Sequence, residues 1–107
     1  MSDCMSCRKA SGSTHSGNFS VDEKDLQIMG HPKIYVDKGI SGKEVYRHFC
    51  GDCGSPAYTK TEIPGPVYVK IGLFQVDDVD PPSTHVFAKN LAKWEETYPN
   101  TKVLETQ

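Results

Sequence analysis

The four cysteines of this sequence fall into two Cys-x-x-Cys pairs, Cys4-Met5-Ser6-Cys7 and Cys50-Gly51-Asp52-Cys53. Two intervening residues let a tight turn aim both sulfurs at one ion about 2.3 Å away, with backbone amides donating to the sulfurs. Gly51 and Gly54 permit the positive φ angles such a knuckle wants, so the second pair is the sharper signal. Zinc is the leading reading, with Cys4, Cys7, Cys50 and Cys53 as ligands. Two other readings stay open: both pairs reduced and metal-free, or either pair a redox-active dithiol. The 42 residues between the pairs exceed the gap of roughly 15–20 in a zinc ribbon. One shared ion remains compatible with that gap.

Other residues can serve the same chemistry. Arg8 follows Cys7 and can lower a thiolate pKa or hold a substrate carboxylate; a solvated arginine is the plain alternative. Ser11-Gly12-Ser13-Thr14 reads as a turn whose amides can cradle an anion, which makes Ser13 a binding candidate. His85 precedes a strand-like apolar run and is a catalytic candidate or a hydrogen-bonded structural histidine. His48, beside Phe49 and Cys50, either faces the knuckle or fills a strand position. Asp77-Asp78-Val79-Asp80 lacks the Gly and Glu of a calcium loop and reads as a solvated turn.

The elements that position these residues must come from a small chain. At 107 residues it has room for one domain, residues 1–107. Leu, Ile, Val and Phe total only 22, which predicts a thin core in need of a metal or disulfide staple. Trp94 is expected to cover much of that core. The net charge of −2 gives no footprint for nucleic acid, and no apolar run is long enough for a membrane helix. The start Met1-Ser2-Asp3-Cys4 lacks a secretory pattern, so a cytoplasmic, reducing setting is expected.

Short strands are predicted over His15–Ser20, Leu26–Ile28, Ile34–Val36, Glu44–Phe49, Ala57–Thr59, Val67–Ile71 and Thr84–Ala88. Ser20-Val21-Asp22-Glu23 has capping-box spacing for one helical turn, and Leu91–Glu96 forms another. Turns fall at Gly30-His31-Pro32, at 38–42 and at Pro64-Gly65-Pro66. Residues 97–107 read as a C-terminal tail, with Val103 and Leu104 able to dock. The fold class is mainly β, antiparallel, with short helical turns and no long helix, which argues against a thioredoxin architecture.

Several motifs, in order, resemble one family. Cys4-Met5-Ser6-Cys7-Arg8-Lys9-Ala10-Ser11-Gly12-Ser13 is similar to the Cys-x-x-Cys-Arg-x-x-Ser/Thr-Gly-Ser signature of the GFA family, the glutathione-dependent formaldehyde-activating enzyme and centromere protein V group. The likeness continues through Ser41-Gly42, Arg47–Ser55, Val69–Phe74, Pro82–Phe87 and Lys93-Trp94, and so spans about residues 4–96. It implies a β-tent fold with zinc and a small-molecule substrate carrying a thiol, with glutathione as co-substrate. The implied activity is a carbon–sulfur lyase that joins formaldehyde reversibly to the thiol. On that pattern Cys4 and Cys7 belong to the catalytic zinc site, and Cys50 and Cys53 to a structural one.

Three ligand cysteines of the family pattern have no counterpart here. Its leading Cys-x-Cys pair is missing, and Ser2 stands where the catalytic trio has its first cysteine. Asp3 and His15 are candidate substitute ligands. A homodimer is expected to cover the edge left by the missing strand. A zinc-stabilised binding module without catalysis, and a metal-independent dehydratase or cyclase of a natural-product pathway, are the competing functions.

Overall fold

Alternation in Glu44-Val45-Tyr46-Arg47-His48-Phe49 sends Tyr46 and His48 to one side and Val45 and Arg47 to the other. In the computed structural model, which describes residues 2, 4–39 and 41–106, this segment is an interior strand of a sheet. Asp3 and Ile40 therefore lie outside the described residues. The chain forms two compact units, Asn18–Leu73 and a discontinuous one of Met1–Gly17 with Phe74–Gln107.

The continuous unit is a five-stranded antiparallel sheet. Its strands are β1 (Asn18–Asp22), β2 (Lys33–Lys38), β3 (Glu44–Phe49), β4 (Pro56–Thr61) and β5 (Pro66–Lys70), in spatial order β1-β5-β4-β3-β2. Register decides which side chains form the core. Val21 lies opposite Val67, and Val69 lies opposite both Phe19 and Tyr58, so these five share one face. Tyr58, Val67 and Val69 are buried there, with Phe19, Val21 and Leu26 packed against them. On the same face His48 stacks on Tyr58 with ring centroids 4.3 Å apart.

The discontinuous unit holds one α-helix among the described residues, α1 (Met5–Ser11). It also holds two short parallel strands, β6 (Thr84–His85) and β7 (Lys102–Val103). Backbone bonds continue beyond β7, from Ala88 N–H to Leu104 O (2.9 Å) and from Phe87 N–H to Thr106 O (3.2 Å). Phe87 is buried and has a left-handed backbone with φ 57°. No helix among the described residues is long and apolar enough to cross a membrane.

The mainly β, antiparallel expectation holds, while several local expectations are corrected. The first Cys-x-x-Cys does not sit in an open knuckle: it starts α1. Leu26 and Ile28 lie outside any strand, because the Asp22 carboxylate caps a 3-10 turn at Glu23–Asp25 through the Lys24 N–H (3.2 Å). Ser20 is no cap, since it pairs with Tyr68 within β1. The last helical turn is a 3-10 turn at Ala88–Asn90, upstream of Leu91–Glu96. Trp94 is 75% exposed and covers no core. The C-terminal segment is bonded along residues 83–89 and is no loose tail.

Candidate functional site

Cys4 occupies the cap position before α1, and its Sγ accepts the Cys7 N–H at 3.1 Å. That bond does for the first turn what a Ser or Asp oxygen ordinarily does. The other end closes on Gly12, whose φ of 64° is the left-handed conformation glycine adopts without a Cβ clash. Cys4 and Cys7 are joined as a disulfide. Ser2 is held by reciprocal backbone bonds to Ser16 (2.8 and 2.7 Å) and by a parallel bridge to Val86. This places its hydroxyl 3.4 Å from Cys7 Sγ, where it donates to the sulfur.

The expected residues of this unit are distributed around that centre. Arg8 and Ser13, with Met5, Lys9, Gly12 and Thr14, line a shallow open depression of about 420 Å³. The amides of Gly12 and Ser13 bond to Lys9 O and Arg8 O and close the helix, so they do not cradle an anion. His85 lies in β6, next to the Val86 that bridges Ser2, and is only 3% exposed. His15 Nδ1 meets Thr14 Oγ1 at 3.3 Å rather than a sulfur.

The second pair does form a knuckle. Cys50 N–H bonds to Ser55 O (2.9 Å), Gly54 N–H bonds to Cys50 O (2.8 Å), and Gly54 has φ 78°. Cys50 is half-buried and Cys53 exposed, both with free thiols. Cys53 Sγ lies 3.2 Å from Ser55 Oγ. That hydroxyl first, then the Ser55 backbone and the Cys50 thiol, hold the Cys53 thiol below its ordinary pKa. His48 does not face the knuckle. Its Nδ1 lies 3.0 Å from Tyr46 O, and burial lowers its pKa despite that carbonyl.

Elsewhere in the sheet unit, register puts Lys70 and Arg47 on one face. Burial first, and then Arg47, push Lys70 down to about 8. Arg47 Nε donates to Asp37 Oδ2 at 3.3 Å.

The donor sets decide what each centre can hold. A zinc site takes three or four protein ligands, and thiolates must be deprotonated and unbonded. As the disulfide, Cys4 and Cys7 do not fit zinc. Reduced, they would present two thiolates beside the Ser2 hydroxyl. Cys50 and Cys53 fit two positions of a thiolate site. Among the described residues no group of three His, Cys, Asp or Glu side chains comes together to hold an ion.

Sequence reasoning places Ser2 at the motif but not as a donor to Cys7, and misses Ser16 as its anchor and Ser55 as the partner of Cys53. Ser55 belongs to the Cys-Gly-Ser motif, but its role needs the knuckle's geometry. Ser16 is 1% exposed, and no local pattern marks it.

Fold and site together define a small, mainly β protein carrying two cysteine centres. The family model of the glutathione-dependent formaldehyde-activating enzymes matches residues 1–90, and the chain belongs to that family, GFA. No curated protein matches the chain.

Proposed function

We propose that this chain is a small-molecule enzyme of the GFA type, acting as a carbon–sulfur lyase on the adduct of an aldehyde with a thiol such as glutathione. Membership of the family over residues 1–90 is the observation that carries this reading. In it, Cys4 and Cys7 would work reduced, and would supply two thiolates beside the Ser2 hydroxyl to zinc, the cofactor that the family reading implies. Zinc supplies thiolate binding or carbonyl polarisation when bound.

The chain's own residues would do the rest. Arg8 and Lys9 give the depression beside α1 the positive charge that the carboxylates of glutathione need. Met5 supplies an apolar wall for the substrate chain. His85, 3% exposed in β6, would serve in this reading as a residue of the frame. The Cys50–Ser55 and Gly54–Cys50 backbone bonds shape the loop between β3 and β4, where Cys50 and Cys53 would offer two further thiolates.

Proton NMR of formaldehyde and glutathione, with the reduced, zinc-supplied chain, tests the proposal. Adduct formation faster than the uncatalysed rate, and lost in Cys4→Ser and Cys7→Ser, is expected. A rate equal to the uncatalysed one overturns the reading. Catalysis that survives both substitutions and a chelator would favour the metal-independent alternative.

A further inference from the structure

β2 is the terminal strand of the five-stranded sheet, with β3 on one side and, among the described residues, no strand on the other. Its pairing with β3 runs unbroken from Lys33↔Phe49 to Lys38↔Glu44. Natural edges are blunted by proline, a bulge or a central charge, because an open edge templates another strand. β2 has none of these at its centre. Ile34, Tyr35 and Val36 are 54%, 60% and 51% exposed, and the charges stand toward the ends.

The order of residues in β2 is nearly symmetric about Tyr35. Lys33 and Asp37 flank it at two positions, Ile34 and Val36 at one. An antiparallel copy aligned on Tyr35 sets Lys33 against Asp37, Ile34 against Val36, and Tyr35 against itself. Opposite charges and apolar pairs in direct opposition are the favourable cross-strand contacts. A shift of the axis to between Tyr35 and Val36 sets Lys33 against Lys38, and like charges in opposition are unfavourable. Asp37 accepts from Arg47 Nε through Oδ2 and from the Lys38 N–H through Oδ1, and each carboxylate oxygen has more than one lone pair, so a cation across the strand shares these oxygens with the bonds already made.

We propose that a second copy of this chain docks along β2, antiparallel and with the two-fold axis at Tyr35, so that the two sheets become one. The interface is isologous: each Lys33 meets the other copy's Asp37. β2 is its own complement in this register, so a second copy satisfies both charges at once, and that complementarity favours a second copy as the occupant.

Sedimentation velocity of the full chain over a concentration series is expected to show a monomer–dimer equilibrium. Val36→Lys and, separately, Ile34→Lys are expected to weaken it at least about tenfold, with the far-UV circular dichroism retained. Register is tested by cross-linking. Tyr35→Cys should oxidise to a dimer whose linked peptide joins residue 35 to residue 35, whereas Val36→Cys should not link to itself. A wild-type monomer at every concentration overturns the proposal, as does a dimer indifferent to Val36→Lys. Equal self-linking at positions 35 and 36 overturns the register.

Discussion

The Ser2 hydroxyl donates to Cys7 Sγ across 3.4 Å, at the head of the helix that Cys4 caps. Ser2 thus stands beside the sulfurs, as its place in the motif implies, but offers a neutral oxygen where a thiolate would bind zinc strongly. Ser2→Cys is expected to raise the zinc affinity of the reduced chain by at least about tenfold, since it supplies a third soft ligand. Competition against a chromogenic chelator measures this. Unchanged affinity would place the ion elsewhere.

Cys53 is expected to react with iodoacetamide before Cys50. It is exposed, and Ser55 and the Cys50 thiol favour its thiolate. Timed alkylation with mass spectrometry gives the order, and Ser55→Ala should slow the first event. Simultaneous labelling of both thiols would contradict the assignment.

Gly54→Ala tests the knuckle's backbone alone. A Cβ at Gly54 meets nothing within 4 Å, so the cost is conformational, at φ 78°. The left-handed penalty predicts a loss of about 1 kcal/mol in chemical denaturation. A neutral substitution would mean that the loop relaxes.

Val67, 1% exposed, is the most buried apolar residue of the sheet. Val67→Ala removes two buried carbon groups and leaves a cavity, at a cost of about 2 kcal/mol. The midpoint of urea unfolding should fall without a change in slope.

Lys70 sets a pH dependence whose sign is fixed. Its folded pKa is depressed from 10.5 to about 8, so between these values the unfolded chain binds more protons. Stability attached to this group is fully present above the unfolded pKa and is lost as pH falls through about 8. Compared with Lys70→Met, the wild type should gain stability as pH rises through that window. A difference independent of pH would show that the ammonium is solvated in the folded state.

Alternation makes β3 and β5 legible in the sequence, because each buries one face and the period of two survives. Register then chooses the core: Val67 and Val69 are visible as a face, but their partners Phe19, Val21 and Tyr58 come from other strands. Helix α1 is hidden because cysteine is not an ordinary cap and the Cys-x-x-Cys spacing suggests a knuckle. Its end is nonetheless written in Arg8, Lys9 and Gly12. The same spacing serves metal, dithiol and disulfide alike, so the bond between Cys4 and Cys7 is not legible. Trp94 is misplaced because ring size predicts burial only when an element carries the ring inward.

The unit that contains Cys4 and Cys7 is assembled from the two ends of the chain. During synthesis the sheet of Asn18–Leu73 can fold before residues 83–89 and 102–106 are made, whereas the unit that bears Cys4 and Cys7 gains its bridge from Ser2 to Val86 only after them. The surroundings of Cys4 and Cys7 are therefore completed only after the whole sheet unit has been made. Throughout that interval the fate of Cys4 and Cys7 is set by local structure alone, the helix turn that Cys4 caps and the bond to Cys7.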